Sequence, residues 1–155
     1  SEASNSCWAL SYIKDIVIDL GTHTLTRGNN HLFNAISHGN AANTTKVTVK
    51  NGTLKGNFYK DGTTSAIPSL LTFNNDSNST SNDTYIFNFD GVRFDITEGR
   101  GIIQSTSNTT YKTGKTTNTV NFNNCEFIRG NMTNKMTLFN LSNVANGNDI
   151  IRWLF

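Results

Sequence analysis

The stretch IDLGTHTL, Ile18 to Leu25, decides the fold, because its apolar residues alternate and then fall out of step. Ile18 and Leu20 alternate as on one face of a strand, Gly21 and Thr22 interrupt, and the apolar beat returns at Leu25. Three further octets overlay on it without gaps: VTVKNGTL from Val47, FNFDGVRF from Phe87 and VNFNNCEF from Val120. Their first, third and eighth residues are all apolar: Ile18, Leu20 and Leu25; Val47, Val49 and Leu54; Phe87, Phe89 and Phe94; Val120, Phe122 and Phe127. The fifth residues are Thr22, Asn51, Gly91 and Asn124. Gly and Asn tolerate a left-handed backbone, so the fifth position predicts a bend between two short strands that share one interior.

The octets begin at residues 18, 47, 87 and 120, and so lie 29, 40 and 33 positions apart. Constant octets at variable spacing imply loops of different length on a fixed coil. Between them a second apolar segment recurs, as HLFNAI from His31, SLLTF from Ser69, GIIQS from Gly101 and MTLFNL from Met136. Each is followed by a polar tract such as SHGNAANTT or NNDSNSTSNDT. One repeat therefore reads strand, bend, strand, loop, strand, long loop. The expected fold class is all-β: a parallel β-solenoid of about four to five rungs, stacked at about 4.8 Å. In this overlay His23, Gly52, Val92 and Cys125 form an inward sixth column. The outward columns are Asp19, Thr48, Asn88 and Asn121 (second position), Gly21, Lys50, Asp90 and Asn123 (fourth), and Thr24, Thr53, Arg93 and Glu126 (seventh). Stacked Asn and Thr at the bends predict hydrogen-bonded ladders between rungs.

Composition agrees. The 155 residues suit a single domain, read as 1–155. A net charge of +2 with only 15% charged residues leaves no dense basic patch for nucleic acid and no polybasic run for a membrane surface. No apolar run reaches a membrane span, so no membrane insertion is expected, and SEASNSCWAL lacks the basic start and long apolar core of a signal peptide. Glycosylation triplets begin at Asn43, Asn51, Asn75, Asn78, Asn82, Asn108, Asn131 and Asn140, which agrees with an extracellular location. Cys7 and Cys125 form no CxxC pattern, and about four rungs separate them in the proposed register, too far for a disulfide. No cofactor or metal is expected: zinc spacing, a phosphate loop and an aspartate-rich calcium motif are all missing.

The octets resemble the strand-bend-strand segments of right-handed parallel β-helix proteins of the pectate-lyase-like superfamily, over roughly Ile16 to Leu141. The superfamily includes polysaccharide lyases and hydrolases, phage tailspikes and adhesive domains of bacterial surface proteins. The resemblance implies a right-handed coil and a sugar-related role. The function expected from it is that of an extracellular β-helix module, from a bacterial surface adhesin or a phage tail protein. Its loops and one strand face would present to a glycan or cell-surface receptor.

Two other readings use the same residues. Asp90 and Glu126 would serve a hydrolase as acid and base or nucleophile, with Arg93 as a lyase's charge clamp. A solvated or binding face is the preferred reading, since Arg93 and Glu126 carry opposite charge on adjacent rungs and make a surface ion pair. For binding without turnover the candidates are Tyr59, Tyr85 and Tyr111, for stacking on sugar rings, with Lys50 and Arg93. His23 and Cys125 are read as core residues. The third reading is a structural spacer. Residues 1–15, with Trp8, Leu10 and Ile13, are read as an N-terminal cap, and 149–155 as the start of an incomplete rung. Trp153, Leu154 and Phe155 would there meet a homotrimer partner or an adjoining β-helix domain.

Overall fold

The computed structural model describes residues 8–9, 14–27, 33–37, 44–56, 71–75, 83–96, 103–107, 117–129, 139–140 and 150–154, with side chains at 14–26, 44–55, 83–95 and 117–128. These residues are all-β, without a helix. Three parallel sheets are woven from the chain in rotation. Sheet X holds β2 (Asp15–Asp19), β5 (Thr44–Lys50), β8 (Thr84–Asp90), β11 (Thr117–Asn123) and β14 (Ile150–Leu154). Sheet Y holds β3 (Thr24–Arg27), β6 (Thr53–Gly56), β9 (Arg93–Ile96) and β12 (Glu126–Arg129). Sheet Z holds β1 (Trp8–Ala9), β4 (Phe33–Ser37), β7 (Leu71–Asn75), β10 (Ile103–Ser107) and β13 (Phe139–Asn140). Each strand from β1 to β11 pairs with the strand three further along the chain, so β2, β5, β8, β11 and β14 are neighbours in chain order. The break in each octet is the corner between sheets X and Y.

The register corrects the first octet. Ile16, not Ile18, pairs with Val47, and Ile18 pairs with Val49, whereas Leu25 does pair with Leu54. The gapless overlay therefore holds for β3 and is two residues out for β2. The corner of the first repeat is four residues long, Leu20 to His23, while the others use two: Asn51-Gly52, Gly91-Val92 and Asn124-Cys125. Asn51, Gly91 and Asn124 adopt φ of 58°, 63° and 50°, as expected of the fifth position, but in the first repeat Gly21, at φ 56°, takes that role instead of Thr22. The His23 amide donates to the Leu20 carbonyl at 2.8 Å, which closes the longer corner as a turn.

The longer corner has a packing purpose. The Leu20 amide donates to the Lys50 carbonyl, the place that Asn51 takes on Asp90 and Gly91 on Asn123. From there the Leu20 side chain packs against the core beside Gly52. A Cβ on Gly52 would lie 2.5 Å from Leu20 Cβ and 2.5 Å from the His23 carbonyl. In the third and fourth repeats Val92 and Cys125 occupy the sixth position with side chains of their own. His23 stands in the same backbone position, its carbonyl accepting from Thr53 as that of Gly52 accepts from Arg93. Its side chain is nonetheless exposed, so the expectation of a core histidine is wrong. Leu20 fills the interior that His23 was expected to fill.

Inward residues follow strict alternation. Val47 and Val49 on β5, Phe87 and Phe89 on β8, and Val120 and Phe122 on β11 face Leu54 of β6, Phe94 of β9 and Phe127 of β12 across the corner. Between the third and fourth repeats the rings form a ladder. Phe89 stacks on Phe122 at 5.6 Å and Phe94 on Phe127 at 5.1 Å, and Phe89 meets Phe94 edge to face at 5.1 Å. Burial of each such ring stabilises by about 1.5–3 kcal/mol, and the ring geometry adds about 0.5–1.5 kcal/mol per pair.

The start of sheet X is different inside. Thr45, Tyr85 and Asn118 occupy one inward row, each at most 4% exposed, and Asp83 just before β8 is equally buried. Burial raises the Tyr85 hydroxyl pKa well above its usual value, and the nearby Asp83 carboxylate adds to the rise. Neither polar atom of the Asn118 amide has a hydrogen-bond partner among the described residues.

Candidate functional site

Of the expected site residues whose side chains the structure describes, Lys50, Asp90, Arg93 and Glu126 are exposed on the strands that flank the corner between sheets X and Y, and Tyr85 is not. Thr48, Asn88 and Asn121 share one row of sheet X. Asn121 Nδ2 donates to Asn88 Oδ1 at 2.7 Å, and Asn88 Nδ2 donates to Thr48 Oγ1 at 3.4 Å. These residues form the expected amide and hydroxyl ladder, one position into each octet instead of at the bends. Asp19 is not part of it. Register places Val17 in that row and moves Asp19 to the row of Lys50, Asp90 and Asn123.

In that row, at the corner, amides meet carboxylates. Asn51 Nδ2 donates to Asp19 Oδ1 at 2.9 Å, the Gly21 amide donates to the same oxygen at 2.9 Å, and Asn123 Nδ2 donates to Asp90 Oδ1 at 2.8 Å. The Asn51 side chain, then the Gly21 amide and the nearby Lys50 charge, hold the Asp19 carboxyl below its ordinary value. A left-handed Asn at the corner therefore serves twice: it turns the chain and donates to the carboxylate beside it.

Across the corner, Arg93 and Glu126 are partners in sheet Y, with Nε and Oε2 3.5 Å apart and both side chains more than half exposed. Asp90 ends β8, so it belongs to sheet X and to the other side of the corner from this pair. A second pair, Lys55 Nζ and Asp95 Oδ2 at 3.7 Å, lies two residues further along the strands of sheet Y. Sequence reading missed it by stopping the octets one residue early; a ninth position would have aligned Lys55 with Asp95. Glu126 and Asp95 thus each face a cation, and Asp90 is held by an amide.

Tyr85 is a correction. Expected as an exposed aromatic for sugar stacking, it is buried, because counting back by two from Phe89 and Phe87 puts it on the inward face. Lys50 is exposed at the end of β5, as a binding residue must be. Cys125 is half-buried and packs on the core, its thiol within 3.4 Å of the Phe89 and Asn123 carbonyls, and burial pushes its pKa up. Cys125 is thus part of the core's edge, as the sixth position predicts. Tyr59, Tyr111, Phe155, His31, His38 and Cys7 lie outside the described residues, as do the side chains of Trp8, Trp153 and Leu154. The backbone at Trp8 belongs to a strand of sheet Z, paired with β4, and Trp153 and Leu154 to β14, paired with β11. Among the described residues no three His, Cys, Asp or Glu side chains converge as a metal site.

The described residues thus define an all-β chain of parallel sheets with a polar, charge-compensated outer face. Compared with known proteins, it matches no family model, no curated protein and no solved structure.

Proposed function

We propose that the chain is a right-handed parallel β-helix module that recognises a carbohydrate or a cell-surface receptor, outside the cell, without turning it over. The rotation of the chain through sheets X, Y and Z supports the coil, and parallel crossovers are overwhelmingly right-handed. The observation that carries the recognition reading is the outward row of Thr48, Asn88 and Asn121 beside that of Lys50, Asp90 and Asn123. Amides and hydroxyls fixed on a rigid sheet at a spacing of about 4.8 Å suit a ligand made of hydroxyl groups, since each contact is prepaid in side-chain entropy. An adhesin or a phage tail protein would use such a face.

A glycan-array screen of the chain, followed by product analysis on any hit, tests this. The expected result is a selective hit that is recovered intact and is weakened by Lys50→Ala or Asn88→Ala. Cleavage of the bound glycan, abolished in Glu126→Gln or Asp90→Asn, would replace the reading with a lyase or hydrolase. Retention of the hit after both face substitutions would move recognition to the loops of Tyr59 and Tyr111.

A further inference from the structure

The polar row inside the start of sheet X has no part in recognition by the outward face. Thr45, Tyr85 and Asn118 are register partners on three adjacent strands, and Asp83 precedes Tyr85 by two residues. All four are at most 4% exposed. The adjacent inward row of Val47, Phe87 and Val120 is apolar and at most 1% exposed, so the polar groups border a dry interior.

Within the row Asn118 stands apart. Thr45, Asp83 and Tyr85 have interactions of their own. Asn118 is 1% exposed, and both its Oδ1 and its Nδ2 are buried without a hydrogen-bond partner among the described residues. An amide so placed has given up its hydration without return, and native interiors supply such groups with a partner from the protein or from ordered water.

The two atoms together define that partner. Oδ1 needs a donor and Nδ2 needs an acceptor. A cation would serve Oδ1 and oppose the amide hydrogens, an anion would do the reverse, and an apolar occupant would serve neither. A hydroxyl group serves both, and burial to 1% exposure selects the smallest such ligand, water. The neighbours suit it. A buried water makes about three hydrogen bonds, and the row offers further groups in a hydroxyl, a phenol and a carboxylate. The Tyr85 phenol keeps its proton to donate, because burial first and the Asp83 charge second raise its pKa. We infer that the interior at the start of sheet X binds one water molecule at Asn118, which donates to Oδ1, accepts from Nδ2 and makes its remaining bond to a neighbour in the row.

Oxygen-17 relaxation dispersion, which counts water molecules held inside a protein for longer than it takes to tumble, tests the site on the 155-residue chain in solution. Asn118→Val, which puts an apolar residue suited to a strand at that position, should lower the count by at least one. A count unchanged by the substitution, or a parent chain that holds no long-lived water, would overturn the inference. A crystal structure of the parent chain decides the matter without a variant, should Asn118→Val fail to fold. The expected result is an isolated density peak within hydrogen-bond distance of both Asn118 atoms. An Asn118 amide paired directly with protein groups, or the lack of such a peak, would overturn the site equally.

Discussion

The first repeat and the third turn the same corner with different means. The third uses Gly91-Val92, and Val92 fills the interior itself; the first uses Leu20 to His23, and Leu20 fills the space that glycine at position 52 leaves open. The third repeat carries phenylalanine on both strands that flank its corner, with Phe87, Phe89 and Phe94 at most 2% exposed, whereas Ile16, Ile18, Leu20 and Leu25 of the first are only half-buried. The difference teaches that the corner is a shared fitting between neighbours. A missing side chain in one repeat is supplied by an extra residue in the repeat before it.

Substitutions separate the two regions by size of effect. Phe94→Ala removes a ring that touches both Phe89 and Phe127, and should cost about 3–5 kcal/mol in denaturant unfolding. Leu25→Ala, the same position in the half-buried first repeat, should cost clearly less; equal losses would show that the first repeat is as tightly packed as the third. Next in size is Gly52→Ala. Its backbone at φ 59° adds about 1–2 kcal/mol of strain. The overlap with Leu20 and the His23 carbonyl adds about 1–3 kcal/mol. Gly21→Ala, at φ 56° with nothing within 4 Å of the new Cβ, should show the backbone cost alone. A Gly52→Ala loss no greater than that of Gly21→Ala would mean that Leu20 does not occupy the corner.

Acid sharpens the comparison at the corner. The folded-state pKa of Asp19 is lowered, so its contribution is present above the unfolded-state value and is lost as pH falls through the folded-state value. Asp19→Asn should therefore lower stability at neutral pH, with the gap to the parent chain closing as pH drops below the ordinary value of 3.8. A gap that is independent of pH would assign the effect to packing. The smallest effect is expected from Arg93→Ala or Glu126→Ala, at most about 1 kcal/mol and less in high salt, because the pair is exposed. A larger, salt-insensitive loss would show that this face is covered.

Much of this was legible in the residues, and the misses have physical causes. Alternation by two located the inward residues of β5, β8 and β11, and it also contained the burial of Tyr85, which its polar hydroxyl disguised. The Asn118 row was readable by the same count. The Arg93–Glu126 pair followed from stacking the octets. The two extra residues before β3 were hidden because Leu20 is apolar and so fits a gapless overlay as well as a strand residue does. That one choice misplaced Asp19 and turned His23 inward.

By itself the sequence determined that the described residues form strands, that the octets repeat, and that Asn and Gly mark their corners, because side-chain alternation and left-handed backbone are local properties of a few residues. Only the tertiary structure decided which residues are neighbours between repeats: Ile16 on Val47, Asn51 on Asp19, Lys55 on Asp95. Hydrogen-bonded partners such as Asn51 and Asp19, or Asn88 and Thr48, stand 32 and 40 residues apart. Across such distances a shift of two residues preserves every local preference. It is excluded only when Leu20 and Gly52 must share one corner of the interior.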